Sequence, residues 1–161
     1  HSVQKKSSNF KIMGTNLLRK EIFGMQSGKE FYENIIAFII YKFNEVFKDE
    51  LVFIKKQVSI EHMGYFKIQY KYMPLQYDII FENERNVFEI EIFDNEGAKN
   101  SLYRIQKYKS GLSIENIQDA ILKLKEVLGK NNLCFYIHRD EKLYKKINGE
   151  YKRVKNLNEL R

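Results

Sequence analysis

Three carboxylates in two neighbouring apolar segments are the residues of this sequence best suited to chemistry. Asp78 lies in the first segment, Glu89 and Glu91 lie in the second, and a short polar stretch separates the two segments. Side chains alternate between the two faces of a strand, so Glu89 and Glu91 are expected to share one face. If the segments pair as a hairpin, Asp78 can join them there, opposite an apolar face. Clustered carboxylates repel one another unless a cation lies among them, and oxygen ligands of this kind suit Mg²⁺.

A magnesium site of this composition would serve phosphodiester hydrolysis. One or two such ions can activate a water molecule and stabilise the charge that develops when the ester bond breaks. The same pattern has a second interpretation, because acidic residues that alternate with apolar ones are typical of an antiparallel sheet with one face in water. In that case the carboxylates are ordinary solvent-exposed side chains.

The order of these segments resembles the PD-(D/E)xK nuclease superfamily over residues 28–111. The Tyr-Asp-Ile-Ile stretch that contains Asp78 resembles the strand that carries the family's Asp, and Phe-Glu-Ile-Glu at 88–91 resembles its Glu-x-Lys strand. Gly-Lys-Glu-Phe-Tyr-Glu at 28–33 resembles the first helix, and Arg-Ile-Gln-Lys-Tyr at 104–108 resembles a later one. The resemblance implies a restriction-endonuclease-like core and a metal-dependent endonuclease.

The resemblance also implies roles for individual residues. Asp78 and Glu89 would bind Mg²⁺, with Glu33 of the first helix nearby. Glu91 stands where the family usually has Lys, so the role of activating water is unfilled at this position. The missing positive charge would come from a neighbouring lysine, or the site would be inactive; the candidate lysines are Lys99, Lys107 and Lys109. The catalytic set that we expect is Asp78, Glu89, Glu91 and Lys107.

The charge of the chain favours a polyanionic partner. Lys and Arg number 28 against 21 Asp and Glu, which gives a formal net charge of +7. Nucleic acid is the partner that such a surface most often binds. The residues expected to contact it are Lys99, Lys109, Lys145, Lys146, Lys152 and Arg153. The last four fall in a C-terminal hairpin with interleaved tyrosines, which is also typical of an edge hairpin that lysines protect from aggregation.

Composition excludes several other classes of protein. The only cysteine is Cys134, so neither an internal disulfide nor a thiolate metal site can form. No apolar run reaches about 18 residues, so the sequence predicts no membrane span, and a cytoplasmic location is expected. The main alternative to a nuclease is a non-catalytic protein-binding module, such as a toxin-immunity factor or a secretion chaperone. A homodimer is compatible with either function.

The elements that would position these residues follow from periodicity and turn signals. Residues 1–26 are predicted to form a flexible basic arm, and residues 27–161 a single α+β domain. The predicted fold is an N-terminal helix packed on a mixed, mainly antiparallel sheet, with two further helices and a C-terminal β-hairpin. Helices are predicted at 28–47, at 98–109 and from Ser113 to Gly129. Strands are predicted at 51–60, 66–72, 75–81, 87–93, 133–138, 143–147 and 151–154, with a loop at 82–86 and a tight turn at Asn148-Gly149.

Overall fold

The chain folds as α+β, with helices on one face of an eight-stranded antiparallel sheet, in a computed structural model that describes residues 28–156. The strands lie side by side in the order in which they occur in the chain. The helices are α1 (Gly28–Phe47), the single turn α2 (Leu102–Ile105) and α3 (Ile114–Lys130). The strands are β1 (Leu51–Ser59), β2 (Tyr65–Tyr72), β3 (Tyr77–Glu84), β4 (Val87–Phe93), β5 (Lys99–Ser101), β6 (Phe135–Arg139), β7 (Lys142–Ile147) and β8 (Glu150–Arg153).

Helix α1 has the bounds that the sequence predicts, and its apolar stripe forms one layer of the core. Ile35, Ile39 and Phe43 on this stripe have no exposed surface. The ring of Phe43 lies 4.7 Å from that of Tyr70 in β2 and 6.3 Å from that of Phe81 in β3, measured between centroids. Each such side chain contributes about 2 kcal/mol through burial, which holds the helix against the sheet.

Alternation along the central strands divides the sheet into a core face and an open face. The core face carries fully buried residues at every second position, among them Phe66 and Ile68 in β2 and Phe88, Ile90 and Ile92 in β4. The open face, which we define as the face turned away from α1 and α3, carries the intervening residues. The expectation that the N-terminal helix packs on the strands of Asp78 and Glu89 is therefore confirmed.

The hairpin between β3 and β4 is tighter than the sequence predicts. Both strands run on to a two-residue turn at Arg85 and Asn86, whose φ angles are 56° and 60°. Two successive positive φ values are typical of the type I′ turns that match the twist of paired strands. The predicted five-residue loop at 82–86 is wrong, whereas the predicted tight turn at Asn148 and Gly149 is confirmed by φ angles of 52° and 82°.

The helix predicted at 98–109 is the largest error in the elements. Its first part is strand β5, which pairs with the end of β4, and only the four residues of α2 are helical. Beyond β5 the backbone N–H of Ile90 donates instead to the hydroxyl of buried Tyr108, at 3.3 Å. The edge of β4 needs hydrogen-bond acceptors, and this requirement outweighs the helical spacing of the apolar residues.

Two smaller corrections concern the end of α3 and the type of sheet. Helix α3 begins after Ser113, as predicted, but it ends at Asn131, whose φ is 50°, and Gly129 lies inside it. Every pairing among residues 28–156 is antiparallel, so the predicted mixed sheet is wrong. None of the helices in this range could cross a membrane. The predicted arm at 1–26 and the first residue of the predicted domain, residue 27, lie outside the described residues.

Candidate functional site

Asp78, Glu89 and Glu91 all lie on the open face, but the register of the hairpin separates them. Asp78 pairs with Phe93, whereas Glu89 pairs with Glu82, two repeats of the pleat along β3 from Asp78. Asp78 and Glu89 are thus offset by four residues along the strands, roughly 13 Å at the usual rise per residue. Mg²⁺ binds oxygen at about 2.1 Å, so one ion cannot reach both carboxylates.

The other members of the predicted metal site lie elsewhere. The Asp78 carboxylate pairs with Nζ of Lys71 at 2.9 Å. Glu33 is exposed on α1, which covers the opposite face of the sheet from Glu89. Within residues 28–156, no three His, Cys, Asp or Glu side chains gather as metal ligands. The predicted set of Asp78, Glu89 and Glu33 is therefore not brought together in the structure.

Two of the predicted carboxylates nevertheless share a pocket with one of the predicted lysines. The pocket opens on the open face and has a volume of about 290 Å³, and its lining includes Glu89, Glu91, Lys99, Arg104, Tyr136 and His138. Nζ of Lys99 lies 3.2 Å from the Glu91 carboxylate, so this pair is already partly neutralised. The volume is close to the lower end of the range for small-ligand sites.

Three cations lie in or beside the pocket, and two of them lie over one buried ring. Tyr136 is only 7% exposed. The guanidinium carbon of Arg104 lies 5.6 Å from the centre of its ring, and Nζ of Lys145 lies 6.0 Å from it. Lys99 is the cross-strand partner of Tyr136 in β5. Cations within about 6 Å of an aromatic face are attracted to it, so the Tyr136 ring helps to hold Arg104 and Lys145 in place. Nζ of Lys99 lies 5.9 Å from the centre of the Phe93 ring instead. We call Lys99, Arg104 and Lys145 the cation cluster.

Burial keeps Tyr136 a neutral phenol beneath the cation cluster. Desolvation raises the pKa of Tyr136 to about 12, and contact with Cys134 acts in the same direction. The Sγ atom of Cys134 lies 3.8 Å from the Tyr136 hydroxyl. The ring therefore offers its face to the cations without adding a negative charge that would neutralise them.

The cation cluster belongs to a longer cross-strand row on the open face. Lys99 in β5 pairs with Tyr136, which pairs with Lys145 in β7, which pairs with Lys152 in β8. Strands lie about 4.8 Å apart, so the row from Lys99 to Lys152 spans roughly 14 Å. Among the described residues, no carboxylate lies within ion-pair distance of Arg104, Lys145 or Lys152.

The remaining predicted contact residues lie outside this row. Nζ of Lys146 points to the other side of β7, where it binds Asp94 at 2.8 Å and also Glu96. These hydrogen bonds raise the pKa of Lys146. The ammonium group that was expected to contact a phosphate is therefore already paired with two carboxylates. Arg153 pairs with Tyr144 and so also lies off the open face.

Lys107 and Lys109 are exposed in the segment that follows α2, away from the pocket lining. The backbone carbonyl of Lys107 accepts a hydrogen bond from Nζ of Lys123 at 3.1 Å. The structure thus gives Lys107 no contact with Glu89 or Glu91. Among the candidate lysines, Lys99 is the one that reaches a predicted carboxylate.

Three residues of the site were not among the predicted site residues: Arg104, Tyr136 and His138. Arg104 was expected inside a long helix, and its guanidinium reaches Tyr136 only because that helix is a single turn after β5. Tyr136 lies in an apolar strand segment, which hides it among core residues in the sequence. No spacing signal marks any of the three, because the pleat and the register bring them together.

Comparison of the chain with protein-family models, with curated protein sequences and with solved structures finds no match to any of them. The geometry of the open face is therefore the basis for a functional argument.

Proposed function

We propose that the protein binds single-stranded nucleic acid on the open face of its sheet. The observation that carries the proposal is the cation cluster around Tyr136, which Lys152 extends across β8. Phosphate groups bind Lys and Arg and release counterions when they do so, and this term dominates the affinity of such proteins. A basic row on a sheet face suits a single strand, because the strand can follow the surface with its backbone.

The cation cluster fits a phosphodiester group in both charge and geometry. Arg104 can donate two parallel hydrogen bonds to phosphate oxygens, and Lys145 can donate from the other side of the ring. Since Tyr136 already restrains both cations, binding costs less side-chain entropy than it would with free lysines. Glu89 and Glu91 form an acidic rim that repels phosphates, so the nucleic-acid backbone is directed along the row towards Lys152.

Hydrolysis of the bound strand is a second candidate function. The observation that favours it is the presence of Glu89 and Glu91 in the same pocket as Lys99, next to the expected phosphate. Asp78 is not part of this group. The likeness to PD-(D/E)xK nucleases, with their restriction-endonuclease-like core and Mg²⁺, therefore extends here to Glu89 alone among the expected metal ligands, and we place binding first.

The proposal is tested by titrating fluorescein-labelled 12-residue oligo-dT and oligo-U with the protein while anisotropy is recorded. The cation cluster and Lys152 together supply four cations, which predict a slope of about −3 for the logarithm of the binding constant against that of salt concentration. Affinity should then fall roughly 50-fold between 50 and 200 mM NaCl. Binding of one oligonucleotide only would assign DNA or RNA as the partner, and binding that ignores salt would contradict the proposal.

Matched charge reversals separate the row from net charge. We expect Lys145→Glu/Lys152→Glu to weaken binding at least about tenfold, because two phosphate contacts become repulsive. The control Lys29→Glu/Lys130→Glu changes the net charge equally at exposed positions on α1 and α3, and it should retain most of the affinity. Equal losses in the two variants would show that binding depends on net charge only and would overturn the proposed site.

The same oligonucleotides test cleavage when they are incubated with Mg²⁺, with Mn²⁺ and with a chelator. Cleavage that requires the metal and is lost in Glu89→Gln would establish hydrolysis as the function. Intact oligonucleotides under all three conditions would leave binding alone.

A further inference from the structure

Strand β1 forms one edge of the sheet in the described chain and exposes apolar side chains along most of its length. Val52, Phe53, Ile54 and Val58 are 45%, 46%, 45% and 42% exposed. Only Leu51 at its start is buried. Along one side of an edge strand, backbone N–H and C=O groups lack the ladder partners that a further strand would supply. Apolar side chains next to such groups are typical of a surface at which a further strand pairs.

Two features of β1 work against unselective pairing. The register with β2 shifts between Phe53 and Lys55, which places a β-bulge at Ile54. Lys55 and Lys56 follow immediately, and both are exposed. Bulges and lysines are the devices by which natural edge strands avoid aggregation. Here they leave the apolar residues accessible, so they restrict which strand can pair without closing the edge.

Charge argues against a second copy of this chain as the occupant. An antiparallel pair of β1 strands would bring Lys55 and Lys56 of one copy close to those of the other. The opposite edge, β8, carries two cations, Lys152 and Arg153, against one carboxylate, Glu150, so pairing β1 of one copy with β8 of another also brings together two strands of net positive charge. Like charges opposite each other destabilise a strand pair. Strand β1 contains no acidic residue that could offset this repulsion.

We propose that β1 accepts an extended acidic and apolar segment of another protein as a ninth strand. Backbone hydrogen bonds to the outer edge would supply affinity. Lys55 pairs with Gln69 on the open face, so carboxylates at alternate positions of the segment would pair with Lys55 there. Apolar residues on the other face of the segment would cover Phe53 and Val58, which pair with Tyr70 and Phe66. Lys67, the neighbour of Gln57 in β2, adds a further positive charge beside the edge. The edge and the cation cluster lie at opposite ends of the strand order, so this inference does not depend on nucleic-acid binding.

The probe is a capped nine-residue peptide in which valine and glutamate alternate, with a valine–lysine peptide of the same length as its counterpart. Each is titrated into the full chain by calorimetry, and amide hydrogen exchange is followed in β1 and β8. We expect the glutamate peptide to bind and to slow exchange in residues Leu51–Ser59. The lysine peptide should bind at least about tenfold more weakly, because like charges meet across the pair. Binding of neither peptide, or protection at β8, would overturn the proposal.

Charge reversal on β1 provides the decisive control. Lys55→Glu/Lys56→Glu should reverse the preference, so that the lysine peptide binds better than the glutamate peptide. The matched variant Lys29→Glu/Lys130→Glu should keep the original preference, and circular dichroism confirms that both variants are folded. An unchanged preference in the β1 variant would refute the pairing. Sedimentation would refute it as well if the native chain forms dimers that charge reversal on β1 alters, because the occupant would then be a second copy.

Discussion

Lys145 and Lys146 are neighbours on β7, and their surroundings differ completely. Lys145 lies on the open face above the ring of Tyr136, and no carboxylate of the described chain pairs with it. Lys146 lies on the other side, where it binds Asp94 and Glu96. The pleat of one strand thus places one lysine on the proposed binding surface and the next in an ion pair within the fold, although both were expected to contact nucleic acid.

The partners of Lys146 explain why it serves the fold. Asp94 is 6% exposed, and its Oδ1 atom accepts from the backbone N–H groups of Glu96 and Ala98, both at 2.9 Å. The Oδ2 atom of Asp94 accepts a hydrogen bond from Nζ of Lys146. The ion pair therefore fastens the C-terminal hairpin to the turn between β4 and β5, and this turn also places Lys99 in the cation cluster.

The largest expected effect that tests this comparison is on stability. Lys146→Met should lower the free energy of unfolding by about 3 kcal/mol, because it leaves the buried carboxylate of Asp94 without its cation. Lys145→Met removes a half-buried charge that has no carboxylate partner among the described residues, and it should cost no more than about 1 kcal/mol. Urea denaturation followed by circular dichroism measures both values. Equal losses in the two variants would mean that the two lysines are not divided between folding and binding.

The second expected effect is on the affinity for oligonucleotides, and here Lys145→Met should have the larger effect of the two variants. Lys145→Met should weaken oligonucleotide binding about fivefold at low salt and reduce the salt slope by about 0.7, as expected for one lost phosphate contact. Lys146→Met, assayed where circular dichroism shows it to be folded, should bind like the native protein. A larger loss for Lys146→Met than for Lys145→Met would move the binding surface to the other side of β7.

The same pleat shows how far the sequence could predict the site. Alternation at Phe88, Ile90 and Ile92 identified the core face correctly, and it followed that Glu89 and Glu91 face the other way. Convergence with Asp78 depended on register. A five-residue loop at 82–86 would have placed Asp78 opposite Ile90, between the two glutamates along the strand but on the core face. The two-residue turn places Asp78 on the open face, opposite Phe93 and farther from Glu89.

Two other features that the sequence did not predict have a related physical cause. Strand β5 consists of Lys-Asn-Ser, which has no apolar alternation, and it becomes a strand because the exposed end of β4 needs partners. Tyr136 becomes part of a site only through strands that are distant in the sequence. Local patterns therefore predicted most of the elements and the faces of the side chains in β3 and β4, whereas the grouping of charges required the tertiary structure.

The smallest expected effect concerns how the stability of the fold depends on pH through Glu96, one of the two carboxylates paired with Lys146. Hydrogen bonds from Lys146 and then from the Tyr151 hydroxyl lower the pKa of Glu96 from its ordinary value of 4.5. A carboxyl group whose pKa is lower in the folded state stabilises the fold above its ordinary pKa, and it loses this effect as pH falls through the folded value. The native protein should thus be slightly more stable than Glu96→Gln at pH 7, and the difference should disappear as pH falls below 4.5.

Urea midpoints measured from pH 7 to pH 3 test the pH effect, with Lys146→Met as the second background. Once the ammonium group is absent, Glu96 loses the interaction that contributes most to its lowered pKa. Glu96→Gln should then cause much less pH-dependent change, and the difference between the two backgrounds isolates the coupling of the pair. A pH dependence that persists unchanged without Lys146 would show that Glu96 is stabilised by other groups, and the contrast between the two lysines would lose its electrostatic basis.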